Sequence, residues 1–279
     1  MAIDVRVREV ALTTEEHLYR TPMKFGGRAV DRVTLLHAAV TVELASGRVA
    51  TGSGSMPLGN AWAFPSRALD GAATLGAMRA AADTVADIYR RSTVAGHPID
   101  ITHALEPKFA VAGESVRRDR GLAEAIPALA LLVAASPINA ALHDAYGKAH
   151  GLNAFRTLTP EFLRHDLGHY LGAEFAGLRL HDFVRPAPRP NLPVYHLVGA
   201  LDPLTPAGVT APVNDGLPES LDDWVRADGL THLKIKLAGD DLAWDVGRVL
   251  GVNAVAEAAR PGGAWAFSLD FNERCRDVA

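Results

Sequence analysis

Two stretches decide the fold: Leu233-Lys234-Ile235-Lys236-Leu237 and Leu269-Asp270-Phe271-Asn272-Glu273. Each closes a predicted strand, and a helical stretch joins them. Along a strand, residues two apart share a face. His232, Lys234 and Lys236 therefore point one way, and Leu233, Ile235 and Leu237 the other. On the second strand Trp265, Phe267, Leu269 and Phe271 share a face, opposite Ser268, Asp270 and Asn272. Strands joined by a helix are usually parallel and covered on both faces, so both faces should be apolar. Here one face of each carries charge, and those charges need a reason. Two Lys from one strand end and an Asp from the next can converge at the carboxyl ends of a barrel, where barrel enzymes do their chemistry. The plainer alternative is that two solvated Lys protect a strand edge from aggregation, with Asp270 a turn or helix-capping carboxylate.

Working outward, Arg185-Pro186-Ala187-Pro188-Arg189-Pro190-Asn191-Leu192-Pro193 is a stiff linker and marks a domain boundary, dividing residues 1–185 from 186–279. After it the pattern predicts strand 194–200, helix 221–227, strand 232–237, helix 241–259 and strand 265–271. In the long helix Leu242, Val246, Val249 and Ala256 form an apolar stripe, with Asp240 as its N-cap. The β-α-β-α-β order predicts parallel pairing with right-handed crossovers.

Upstream, Ile3 to Leu12 and Val33 to Leu44 alternate as strands, and Ser46-Gly47 turns the chain into a strand from Val49 to Gly52. Tyr19 to Arg28 and Gly54 to Pro65 are predicted loops, the usual carriers of specificity. From Ser66 to Gly151 the pattern is helical: Leu75, Met78, Ala82, Val85 and Ile88 recur near a 3.6 period, and Gly121 to Ala134 has the composition of a buried helix. Gly147 and Gly151 permit close packing or end the next helix. His165 and His169 share a helix face at a spacing that can bind zinc, but no Glu lies between them and no third ligand is evident, which favours packing.

The residues at the two strand ends carry a family resemblance. Lys234-Ile235-Lys236 followed by Asp270-Phe271-Asn272 resembles the Lys-x-Lys and Asp-x-Asn signatures of the enolase superfamily, in its mandelate racemase and muconate lactonizing enzyme branch. Pro22-Met23-Lys24-Phe25-Gly26-Gly27 resembles the early specificity loop of that family's capping domain. Ser136-Pro137-Ile138-Asn139-Ala140-Ala141-Leu142-His143-Asp144-Ala145-Tyr146-Gly147-Lys148-Ala149-His150-Gly151 resembles the helix before the barrel, with His143 where a Trp is common. The resemblance implies α/β architecture with an α+β cap: an enolase-type N-terminal capping domain followed by an incomplete (β/α)8 TIM barrel, with about three strands present.

The implied chemistry is removal of a proton next to a carboxylate. Lys236 is the candidate base, and Lys234 neutralises the substrate carboxylate. A base must be neutral, whereas a free Lys titrates near ~10.4; Lys234, on the same face, is expected to lower the Lys236 value by repulsion. Asp270 matches the first ligand of a Mg²⁺ ion, and Asn272 supports the site by hydrogen bonding. Tyr19, Arg20, Met23, Lys24 and Trp62 are candidates to cover the site mouth. The family's other metal carboxylates lie on later strands, so the chain is expected to be the N-terminal part of a longer Mg²⁺-dependent dehydratase, racemase or cycloisomerase, with sugar acids as one candidate substrate class, and inactive alone. Two alternatives stand beside this: a Schiff-base lyase in which one of the lysines attacks a carbonyl, and a non-catalytic remnant that needs a partner chain.

Bulk properties narrow the classes. The 279 residues are 48% hydrophobic and 22% charged, ordinary for a globular protein. A net charge of -4 without a basic run speaks against nucleic acid and membrane surfaces. A single cysteine, Cys275, makes no intrachain disulfide. With an N-terminus that alternates like a strand and no run of about 18 apolar residues, the expected setting is the cytoplasm. The expected partners are a small carboxylate substrate and, for the intact enzyme, further copies of itself.

Overall fold

The computed structural model describes residues 3–25, 28–185, 187–271 and 274–275. The chain divides into two compact units: Met1–Leu18 with Arg32–Pro188, and Tyr19–Asp31 with Arg189–Ala279.

Strands β1 (Val5–Phe25), β2 (Arg28–Leu44), β3 (Val49–Pro57) and β4 (Ala95–Gly96) pair in the order β3-β2-β1-β4; the first unit is built on them except for the end of β1 and the start of β2, which fall in the Tyr19–Asp31 segment of the second unit. The expected Tyr19–Arg28 loop is mostly strand, because β1 runs to Phe25 and β2 begins at Arg28. Thr13, Thr14, Tyr19 and Thr21 suit a strand. Residues 13–22 are exposed throughout, so no apolar alternation marks them. β3 also outruns its expected end at Gly52, pairing antiparallel with β2 from Glu43↔Val49 to Leu35↔Pro57.

Helices α1 (Asn60–Ala63), α2 (Gly71–Arg90), α3 (Pro98–Leu105), α4 (Pro107–Asp119) and α5 (Ala128–His150) complete the layer on this sheet. The backbone of α5 lies directly on β3. A Cβ at Gly52 would sit 2.2 Å from the Ala141 carbonyl oxygen, and one at Gly54 2.2 Å from that of Pro137. Glycine is what allows this approach. The helix expected over Gly121–Ala134 starts only at Ala128, after the extended Pro127. Pro137 lies inside α5 and supplies no N–H to Val133. The Ser136 hydroxyl donates to the Val133 oxygen instead, at 2.9 Å. Among the described residues α5 is the one helix long and apolar enough to cross a membrane by length and composition, although no continuous apolar run of that length was expected. Here it buries Ala134, Ile138, Ala141, Leu142 and Ala145 in the cores of the unit. Phe155 to Asp182 forms short 3-10 turns and one helical turn, α6 (Leu167–Leu171).

The second unit holds β5 (His196–Val198), α7 (Leu221–Asp228), β6 (His232–Lys236), α8 (Leu242–Ala259) and β7 (Ala266–Asp270). Its strands form a parallel sheet in the order β5-β6-β7. Val198, Leu221, Val225, Leu233, Ile235, Val252 and Ala256 are its core. The stripe expected on α8 is corrected in two places. Leu242 and Val246 are exposed, and the inward line is Asp245, Val249, Val252 and Ala256. The N-cap is Asp241, which accepts from the Trp244 N–H at 3.0 Å; Asp240 pairs with Arg274 instead. A buried carboxylate on the apolar line hid the true phase of the helix.

Candidate active site

Lys236 ends β6 and Asp270 ends β7, and the two are direct partners in the parallel register, as are Lys234 and Ser268. One carboxylate oxygen joins all three charges. The Lys236 ammonium donates to Asp270 Oδ2 at 2.6 Å, and Lys234 Nζ lies 3.0 Å from the same oxygen. The Lys234 ammonium also sits 5.7 Å from the centre of the Tyr195 ring, within cation–π range. The hydrogen bond to Asp270 raises the Lys234 pKa; burial opposes this, and the Asp270 charge adds to it. The Asp270 carboxylate oxygen thus lies within ion-pair distance of both ammonium groups.

The connection after β6 is fixed at three successive amides. Leu237 N–H donates to the Asp270 carbonyl at 2.9 Å. Ala238 and Gly239 donate to the two carboxylate oxygens of Asp245, at 2.6 and 3.0 Å. Gly239 has φ +77°, and a Cβ there would lie 3.0 Å from the Phe271 oxygen, so the turn demands glycine. Three residues along α8, the half-buried Arg248 donates to the carbonyls of Gly199 and Asp202, beyond β5. Its burial lowers the guanidinium pKa. Neither Asp245 nor Arg248 was singled out from sequence. The available signal was their helical spacing from Val249 and Val252.

Arg20 makes a bidentate bond to Asp215, at 2.6 and 2.8 Å, and donates to the Pro218 and Leu217 carbonyls. This pairing depresses the Asp215 carboxyl to about 2. Tyr19 is exposed and Met23 half-buried. Trp62 lies on α1 of the first unit, with its indole folded against Gly59. The Lys24 side chain and the whole of Asn272 and Glu273 lie outside the described residues. His165 and His169 stack with ring centres 3.9 Å apart, and His103 lies 5.2 Å from His169.

Among the described residues no group of three or more His, Cys, Asp or Glu side chains could hold a metal ion. At the strand ends the hard donor is Asp270, and two ammonium groups share its Oδ2. These residues by themselves do not fit a Mg²⁺ centre, which calls for about six oxygen ligands in octahedral array.

Several solved structures match nearly the whole chain. An enolase from Bradyrhizobium, complexed with magnesium and mandelic acid, is 20% identical with a TM-score of 0.52, over 98% of this chain and 56% of that one. The L-talarate/galactarate dehydratase of Salmonella typhimurium LT2 is 18% identical with a TM-score of 0.53, over 97% and 52%. A substrate-liganded L-Ala-D/L-Glu epimerase from Bacillus subtilis is 14% identical with a TM-score of 0.53, over 96% and 54%. The chain thus spans about half the length of the structures it matches. No family model and no curated protein matches it. These likenesses show the fold: a capping domain followed by part of a (β/α)8 barrel.

Proposed function

We propose that these residues belong to an enzyme that removes the proton next to the carboxylate of a small substrate, leading to racemisation, epimerisation, dehydration or cycloisomerisation. The observation that carries the proposal is the convergence of Lys234, Lys236 and Asp270 at the carboxyl ends of adjacent parallel strands. Matched proteins complexed with mandelic acid, or named as an epimerase and a dehydratase, support the reaction class.

In this reading Lys234, held cationic by its raised pKa, meets the substrate carboxylate and stabilises charge that builds on its oxygens. Lys236 takes the α-proton after its hydrogen bond to Asp270 is released and its ammonium has lost a proton. Asp270 is proposed as one ligand of a Mg²⁺ site whose other ligands are not among the described residues. Activity is accordingly proposed for the whole barrel enzyme, with sugar acids as one candidate substrate class.

The test is a panel of α-protonated carboxylates, including 2-hydroxy, sugar-acid and dipeptide members, incubated in D₂O with Mg²⁺. The panel is run with the chain as it stands and with the chain joined to a complementary barrel half. The proposal expects deuterium at the α-carbon with the completed barrel. A borohydride-trapped adduct on Lys234 or Lys236, with no deuterium in any member, would replace it with Schiff-base chemistry.

A further inference from the structure

α8 begins with a complete cap. Asp241 accepts from Trp244, so the helix start has its side-chain partner without help. Asp245, one turn in, is nevertheless a carboxylate on the buried stripe, 5% exposed. Burying such a group is costly unless it is hydrogen-bonded. Its two oxygens leave the helix altogether and take the Ala238 and Gly239 N–H groups. Those amides are the second and third after Lys236. The amide between, Leu237, is tied to the backbone oxygen of Asp270, the residue whose side chain holds Lys236.

We propose that Asp245 is a positioning residue for Lys236. It fixes the chain just beyond the lysine, so that β6 cannot slide or fray at its carboxyl end. The Lys236 ammonium is thereby kept in register with Asp270. The inference rests on Lys236 being the working base for its meaning in catalysis; its geometry is tested independently of turnover. Arg248 holds the connection after β5 from the same helix, so α8 secures two consecutive strand ends.

The experiment uses the 279-residue chain and two NMR readouts: amide hydrogen exchange, and the ¹⁵N–¹H signal of the Lys236 ammonium, assigned by its loss in Lys236→Met. The sequence has few competing lysines, Lys24, Lys108, Lys148 and Lys234. In Asp245→Ala, exchange at Ala238 and Gly239 should rise about tenfold or more, as expected for a local opening made easier, and the Lys236 signal should move or broaden. Asp245→Asn keeps one acceptor oxygen and should fall between; it carries the test if the alanine variant does not fold. Asp241→Ala, which removes the cap of the same helix, should leave the Lys236 signal in place. A folded Asp245 variant with an unmoved Lys236 signal would overturn the proposal, as would an equal movement in Asp241→Ala. None of these outcomes depends on proton abstraction, so either idea can fail alone.

Discussion

β6 and β7 are adjacent, parallel and similarly patterned, yet their apolar faces meet different fates. Leu233 and Ile235 on β6 are 0% exposed, whereas Phe267 and Leu269 on β7 are 37% and 47% exposed. β6 lies between two strands, while β7 is the last strand in the order β5-β6-β7 among the described residues. A strand's own alternation says which side chains share a face. What covers that face depends on the elements beside it. On the polar side the two strands act together, each giving charge to one cluster.

The largest expected difference between the strands is in stability. Ile235→Ala should cost about 2–5 kcal/mol, as for a fully buried aliphatic side chain. Leu269→Ala should cost no more than about 1 kcal/mol, since little of the side chain leaves water. Urea midpoints with unchanged m-values would measure both. Equal costs would show that the face of β7 is covered after all.

Next comes a pH contrast between the two units. Burial pushes the His143 imidazole down to about 4 and, helped by His143, the His97 imidazole down to about 3. A folded state that resists protonation loses stability as the unfolded chain takes up protons. The contribution is whole above ~6.5 and is lost as pH falls toward the folded values. For His143 this is on the order of 3 kcal/mol. Acid should therefore loosen the first unit between those limits, and His143→Gln should flatten the urea-midpoint profile there. Lys234 acts with the opposite sign. Its raised value stabilises the fold fully below ~10.4 and is lost as pH rises through the folded value. Asp270→Asn should remove this smaller alkaline dependence, measured by following the second unit's amides in alkaline titrations.

Much of the second unit was legible because its elements are short and regular. The parallel order and the shared face of Lys234, Lys236 and Asp270 follow from period-two alternation, which unlike residue types on one face make easy to see. The Tyr19–Arg28 stretch reads as a loop in the sequence because the strand residues at its start, Tyr19 to Pro22, are all exposed and so carry no hydrophobic period. Asp245 was missed because a polar residue on an apolar stripe looks like a break in it. The partnership of Arg20 with Asp215 joins residues far apart in sequence, and no local pattern announces such a pair. The uncovered face of β7 was invisible for the reason already given: cover belongs to the neighbours.

The measurement closest to the central claim is solvent-deuterium exchange at the substrate α-carbon by the completed barrel, comparing wild type with Lys236→Met and Lys234→Met. Loss of a general base should slow exchange by about 10²–10⁴-fold in Lys236→Met, and Lys234→Met should also weaken binding of the carboxylate. Exchange at near wild-type rate in Lys236→Met, with either substrate stereoisomer, would contradict the assignment of Lys236 as the base.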